Sequence, residues 1–371
     1  MKRVIFVEHH GDIIGGGQIS LLLLMQNLHQ HRPLCVCGGE GSMADAVRER
    51  ELSLELMPMP SLGLRSFGSV WRGVRRLRRL VDEQKGVLLH ANSSRGMFYA
   101  GLAGWLSGVP VIWHVRVGET DGWWDRLLAS WAVRIVVISK SVQARFFWRG
   151  TAEKVRLIHN GVDVLAGASG DGREWRQRLG YGERPLVGMV AQLIPWKRQD
   201  DFIRGMARVV EKFPEAGFLL VGADPDPDAS YERQLRELVA ELGLEGKVAF
   251  VGFCEDVPGI MAMLDILVLA SENEPFGRVL IEGMAASRPV VATEGGGGGE
   301  LVVAGDTGLL VPVGDSERIA AAVERLLAEP ETARIMGEKG RQRAAALFSI
   351  EAHVEQVEEL YQEVLAGGAT N

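Results

Sequence analysis

Short β-branched runs alternate with longer amphipathic stretches along nearly the whole chain. In the first half Val4–Val7, Leu34–Cys37, Val87–His90, Val111–Val115 and Ile135–Ile138 read as strands. Between them Gln18–Gln30, Val70–Glu83 and Arg95–Ser107 have helical character. A second series starts at Leu186–Val190 and continues through Phe218–Val221, Val248–Val251, Ile266–Leu269, Val290–Ala292 and Gly308–Val311. Beyond Asp315 the chain reads as helical through Ser316–Ala328, Glu331–Leu347 and Ile350–Leu365. Such alternation predicts α/β architecture with one parallel sheet per half. The stretch Leu165–Arg173, rich in Gly and Ala, breaks the periodicity and marks the expected boundary. The expected domains are residues 1–165 and 174–349, followed by a terminal helical segment, 350–371. Two such domains side by side make a cleft, and ligands of open α/β sheets sit beyond the carboxyl ends of the strands. Residues just after strands are therefore the ones to inspect.

Length supports the division, since 371 residues exceed one ordinary core. With 47% hydrophobic and 24% charged residues the composition is globular, and no apolar run reaches the length of a spanning helix. Met1 to Val7 is basic and then apolar, as in a signal peptide, but the run stops at Glu8-His9-His10 with no cleavage site after it. A buried first strand and a cytoplasmic location are expected. Cys35, Cys37 and Cys254 form neither a disulfide framework nor a zinc cluster; Cys35 and Cys37 read as buried strand thiols. Charge is uneven. Residues 1–165 carry 21 Lys+Arg against 14 Asp+Glu, a net of +7, and the remainder carries −14. The first half is thus expected to meet an anionic surface or substrate. Its basic helix, Val70–Glu83, is read as an outer helix packing on the sheet or, alternatively, as one resting on an anionic membrane. Seven of the nine tryptophans lie before residue 165, which favours an amphipathic or membrane-proximal surface there.

The strand Ile266–Leu269 is followed by Ala-Ser-Glu-Asn-Glu-Pro-Phe-Gly and then by a helical segment starting at Arg278. A Gly turn at a helix N-terminus offers free N–H groups and a positive dipole end, which suit a phosphate. Glu274 and Glu282 flank that start; as carboxylates they suit sugar and ribose hydroxyls, or else are a capping residue and a solvated charge. Five glycines, Gly295 to Gly299, follow Val290–Ala292 and imply close backbone approach, positive φ or a flexible loop. Lys197 opens the helix after the strand Leu186–Val190, where it either reaches a phosphate or stays in solvent. Gly15-Gly16-Gly17 occupies the matching place in the first half but lacks the spacing of a dinucleotide fingerprint. His114 ends the apolar run Val111-Ile112-Trp113-His114 and, read alone, is a core or merely hydrogen-bonded histidine. Asp224-Pro-Asp-Pro-Asp228 imitates a metal-binding D-x-D but reads as a rigid acidic loop, and no metal is assigned.

Together these segments resemble the family-4 retaining glycosyltransferases of the GT-B fold, two Rossmann-like domains facing a central cleft. Glu274 to Glu282 fits the family's E-x7-E element, Gly296 to Glu300 its G-G-x-x-E segment, and His159-Asn160-Gly161-Val162-Asp163 its N-G-V-D junction. Asp306 to Val311 and Gly314-Asp315 also follow the family pattern. The resemblance covers nearly the whole chain and is densest from Leu157 to Asp315. It implies that the second domain binds a nucleotide diphosphate sugar, that the first supplies the acceptor site, and that segment 350–371 crosses back to the first. By position, Glu282 would hold the ribose, Glu274 the transferred sugar, and Phe276, Gly277, Arg278 and Val279 sugar and diphosphate through their backbone. Lys197 and the Gly15-Gly16 loop would neutralise the diphosphate, His114 would lie near the donor sugar, and Gly252-Phe253 would lie against the base. The catalytic set implied is Glu274, Lys197 and His114. One departure stands out: Gln192 occupies a position where the family often has arginine, so charge neutralisation falls more heavily on Lys197. The expected partners are a nucleotide-sugar and a glycan or lipid-linked glycan of bacterial cell-surface assembly, with peripheral membrane contact, no nucleic acid and no cofactor. The alternatives are a sugar-nucleotide epimerase or hydrolase on the same fold, and a catalytically silent binder.

Overall fold

In a computed structural model the chain is described for residues 1–63 and 65–367. It divides into two compact units, one formed by Met1–Gly161 with the segment from Ile350 onward, the other by Val162–Ser349.

The first unit contains a seven-stranded sheet. Its strands are β1 (Lys2–Glu8), β2 (His31–Cys37), β3 (Ser53–Leu56), β4 (Gly86–Ala91), β5 (Val111–Val115), β6 (Arg134–Val137) and β7 (Val155–Leu157). Their order is β3-β2-β1-β4-β5-β6-β7, and every pairing is parallel. The second unit has a six-stranded parallel sheet of β8 (Leu186–Val190), β9 (Gly217–Val221), β10 (Val248–Gly252), β11 (Ile266–Leu269), β12 (Val290–Thr293) and β13 (Gly308–Val311). The order is β10-β9-β8-β11-β12-β13. In each sheet the order reverses beside the first strand, β1 or β8, the switch point where such folds leave a crevice.

The central strands are buried on both faces because helices cover both, and each unit has its own apolar core. The helix Ile350–Gly367 belongs to the first core, placing Val354, Val357, Leu360 and Tyr361 against residues of β1, β2 and β4. The basic helix Phe67–Glu83 buries Val70, Gly73, Val74, Leu77, Leu80 and Val81 and leaves Arg72, Arg75, Arg76, Arg78 and Arg79 exposed. It is an outer helix of the sheet. Cys35 and Cys37 are buried thiols of β2.

Three details differ from the periodicity reading. Strands β3 and β7 carry no clear sequence signal; both are short edge strands, and β3 is half-exposed along its length. Leu165–Arg173 is not irregular. It forms helices Val164–Ser169 and Gly172–Arg178, started by the side chains of Asp163 and Asp171. Its glycines serve close packing: a Cβ on Gly172 would come within 2.3 Å of the Met263 backbone, and one on Gly167 within 2.8 Å of Ala285. The change of unit therefore falls earlier, at Gly161–Val162, and the glycine-rich stretch belongs to the second unit. Third, Lys197 does not open a helix. It ends a 3₁₀ turn, Pro195–Lys197, and the helix starts at Gln199 after Arg198 in left-handed backbone (φ 60°).

Candidate functional site

In the second unit the polar residues gather where β8, β11 and β12 end. After β11 the chain turns through Ser271 and Glu274 and enters the helix Arg278–Ala285 at Gly277, whose φ of 92° suits glycine. The N-cap residue, Gly277, has no side chain with which to cap this helix start. Phe276 is buried and meets Phe348 edge to face, with ring centroids 6.4 Å apart. That anchors the turn from below and leaves the first backbone N–H groups of the helix as the positive end.

Glu274 is held from both sides. Its backbone bridges to Gly296 in parallel, and its carbonyl accepts from Gly297 N at 2.6 Å. Its carboxylate Oε2 accepts from Lys197 Nζ at 2.5 Å and from Ser271 Oγ at 3.1 Å. The Lys197 and Glu274 side chains are only 14% and 12% exposed, so the ion pair is screened far less than a surface pair. Lys197 also lies 4.1 Å from the Trp196 ring centroid, a cation–π contact that narrows where its ammonium can sit. Glu282, one turn into the helix, accepts from Arg278 Nε at 2.6 Å.

The glycine run explains how Glu274 stays in place. Gly296 has φ 66°, and a Cβ there would sit 2.1 Å from the Glu274 carbonyl oxygen; one on Gly297 would meet the Phe276 backbone at 2.7 Å. The run is a close backbone approach, not a flexible loop. Gly296→Ala is expected to lower the melting temperature of the second unit by at least about 2–4 °C, since the left-handed backbone alone costs about 1 kcal/mol. It is also expected to weaken ligand binding beside Glu274 about tenfold. A variant with wild-type melting and binding would refute this role for the close approach.

Gln192 is exposed, and its carbonyl accepts from Gln199 Nε2 at 2.7 Å. Arg198, the arginine nearest to it in the sequence, is committed to Asp201 at 2.8 Å. Gly252 ends β10 at φ 78° and accepts from Gly222 N at 2.8 Å, while the Phe253 ring that follows is 72% exposed. The Asp224–Asp228 loop satisfies itself: Asp224 accepts from the backbone of Tyr231 and Glu232, and Asp226 from Asp228 N and Ser230 Oγ.

In the first unit the corresponding edge carries Gly15-Gly16-Gly17, Glu8 and the end of β5. Gly15 and Gly16 lead into the helix Gly16–Gln26, and a Cβ on Gly17 would touch the Arg116 side chain at 3.2 Å. His114 is fully buried. Burial, then the Arg116 charge and the histidines His90 and His353, hold its pKa well below the ordinary histidine value, so it is neutral near pH 7. Arg116 is clamped by Asn92 at 2.5 Å and by Asn160, and Asn92 in turn donates to Glu8 at 2.7 Å. Burial raises the Glu8 pKa, but hydrogen bonds from His9 and Asn92 outweigh it and leave it lowered. Glu8, His9 and His10 bring potential metal-ligand atoms within 4.8 Å of one another. Hydrogen bonds to Asn92, Ser93 and the His10 backbone already occupy the Glu8 oxygens and His9 Nδ1.

Sequence reasoning overlooked Ser271, Arg116, Asn92 and Tyr361, and took Asn160 only as part of the junction motif. Ser271, Asn92 and Arg116 carried a readable signal, being polar residues within two positions of the ends of strands β11, β4 and β5.

Comparison with known proteins fits this arrangement. Residues 14–164 match the model of Glycosyltransferase Family 4, and residues 171–343 that of Glycosyl transferases group 1. The chain belongs to the family-4 glycosyltransferases of the GT-B fold. This glycosyltransferase is 29% identical to the alpha-D-kanosaminyltransferase of Streptomyces kanamyceticus over 84% of its own length and 88% of the relative's. It is also 29% identical to a GDP-mannose-dependent phosphatidylinositol monomannoside mannosyltransferase of Mycolicibacterium smegmatis, covering 72% of this chain and 74% of that one. The crystal structure of Anabaena HepE in complex with UDP and glucose superposes with a TM-score of 0.88 at 25% identity, covering 98% of this glycosyltransferase and all of HepE.

Proposed function

We propose that the second unit binds a nucleotide diphosphate sugar at the Gly277 helix start and that the enzyme transfers the sugar with retention of configuration. The carrying observation is the largely buried pair of Lys197 and Glu274 at that start. A diphosphate at the helix N-terminus would draw the Lys197 ammonium to itself and free Glu274 to accept sugar hydroxyls. Glu282 would hold the ribose, with Arg278 as its competing partner, and Gly252-Phe253 would flank the base. Phe276, Gly277, Arg278 and Val279 would bind through their backbone. Gln192 adds a hydrogen bond without charge.

In the transfer step the bond between the anomeric carbon and the diphosphate oxygen breaks, and positive charge grows on the sugar. The acceptor hydroxyl oxygen bonds to the anomeric carbon on the face the diphosphate leaves, and its proton passes to the departing diphosphate. Lys197 and the helix N–H groups stabilise the charge developing on that leaving group, so no metal is required. Gly15, Gly16 and His114 are proposed to contact the donor, and the first unit to hold the acceptor.

The mannosyltransferase of Mycolicibacterium smegmatis is named for GDP-mannose and phosphatidylinositol monomannoside, and a Rhizobium meliloti relative for lipopolysaccharide core biosynthesis. They support a glycan or lipid-linked acceptor of the bacterial cell surface, used on the cytoplasmic side of the membrane. Exposed Trp105, Trp123 and Phe147, with the arginines of Phe67–Glu83, support peripheral membrane contact. No helix among the described residues is long and apolar enough to cross a membrane.

Thermal shift with UDP-, GDP- and ADP-sugars tests the donor reading. A donor at 100 times its Kd stabilises by about 2.7 kcal/mol, a rise of roughly 5–10 °C for a unit of this size. Product analysis with labelled donor then separates transfer from hydrolysis or epimerisation. If none of the sugar-nucleotides shifts melting, the donor site is misplaced.

A further inference from the structure

Three buried rings of the first unit, contributed by β4, β5 and the helix Ile350–Gly367, form one hydrogen-bonded line. Tyr361 Oη lies 2.6 Å from His90 Nδ1, and His90 Nε2 lies 3.1 Å from His114 Nδ1. All three side chains are fully buried. Arg116 Nη2 approaches the same His114 Nδ1 at 3.4 Å.

Donor and acceptor roles along this line follow from Arg116. A guanidinium has only N–H donors, so His114 Nδ1 must accept and carries no proton. The neutral ring then bears its proton on Nε2. His90 Nε2, facing the same lone pair, must donate, which leaves His90 Nδ1 as an acceptor. Tyr361 therefore supplies its O–H. Its environment agrees, because burial, followed by the Glu358 charge, holds the phenol well above its ordinary pKa and keeps that proton. His90 is likewise kept neutral by burial and by Arg116. The His353 ring stands 6.1 Å from the His114 ring and opposes a second positive charge there. The chain of donors runs one way, Tyr361 to His90 to His114, and ends on His114 Nε2–H. That nitrogen is buried and has no hydrogen-bond partner among the described residues.

We infer that Tyr361 and His90 are positioning residues that lock His114 as a neutral Nε2–H hydrogen-bond donor. Its task is then to donate to a sugar or leaving-group oxygen, not to accept a proton. The locking also gives the terminal helix a part in the site: it delivers the first donor of the line. The link to transfer rests on the proposed placement of His114 beside the donor sugar; the tautomer does not.

Imidazole ¹H–¹⁵N correlation spectra of the full-length ¹⁵N-histidine-labelled enzyme test the lock directly, with His114 assigned by its loss in His114→Gln. The expected pattern is Nε2–H and neutral, constant from pH 5.5 to 8.5. A wild-type His114 that is Nδ1–H or doubly protonated near pH 7 overturns the inference. Tyr361→Phe keeps the ring but removes the first donor, so His90 can turn a lone pair towards His114 Nδ1; only the longer Arg116 contact at 3.4 Å then opposes the other tautomer, and the His114 signal should shift part-way towards Nδ1–H. In that variant kcat for transfer is expected to fall about tenfold with KM for the donor little changed. Wild-type tautomer and wild-type kcat in Tyr361→Phe also overturn it. If His114→Gln turns over at the wild-type rate, the placement of His114 at the donor fails, whatever the spectra show.

Discussion

Lys197→Ala is expected to reduce sugar transfer by about 100- to 1000-fold, mostly in kcat, while the protein stays folded. The magnitude is that of removing one preorganised group from a site where charge develops in the transition state. Two features place Lys197 towards the upper end. Its side chain is only 14% exposed, so its field is weakly screened. Gln192 brings no charge, and Arg198 is bound to Asp201 instead. Glu274→Ala should be nearly as damaging for a different reason, because it removes the acceptor for sugar hydroxyls and leaves Lys197 without its partner. Steady-state kinetics with the donor found by thermal shift, alongside circular dichroism, checks both. Unchanged turnover in both variants would remove these residues from the mechanism.

Asp125→Ala should destabilise the first unit by about 3–5 kcal/mol, the usual result of stripping one partner from a buried ion pair. Asp125 and Arg145 are 0% and 1% exposed at the side chain. Arg145 Nε reaches Asp125 Oδ2 at 2.8 Å, and the same oxygen accepts from Thr120 Oγ1 and Asp121 N. The guanidinium also donates to the Val117 carbonyl and lies 5.6 Å from the Trp113 ring centroid. The pair thus fixes the segment that follows β5, directly beyond His114 and Arg116. With about 2–4 °C per kcal/mol for a unit of this size, melting should fall by roughly 10 °C. Arg145→Met combined with Asp125→Ala should lose less than the two single changes added together, since no unpaired charge remains. A single variant that melts within a degree or two of wild type would show that water reaches Arg145.

Much of the fold was legible locally. The inner strands of both units announce themselves as β-branched runs, because a strand covered on both faces has to be apolar throughout. Strands β3 and β7 were not legible: a short edge strand needs few apolar residues, and Ser53–Leu56 is half-exposed. The glycines of Leu165–Arg173 misled for a related reason. Glycine marks flexibility and close contact alike, and only the backbone of Met263 and the side chain of Ala285 show that contact applies here.

For the site, the order of residues along the chain determined that Glu274, Gly277 and Glu282 stand at a helix start after a strand, and that a lysine follows the first strand of the same unit. Those are local facts, set by periodicity and turn chemistry. Only the tertiary structure decided that Lys197 grips Glu274 across 77 positions, and that Gly296 presses on the Glu274 carbonyl. It likewise decided that a tyrosine 271 positions from His90 turns His114 into a one-way donor. The physical reason is that periodicity reports whether a residue faces the core or water. Which partner it meets depends on the order in which parallel strands are laid side by side.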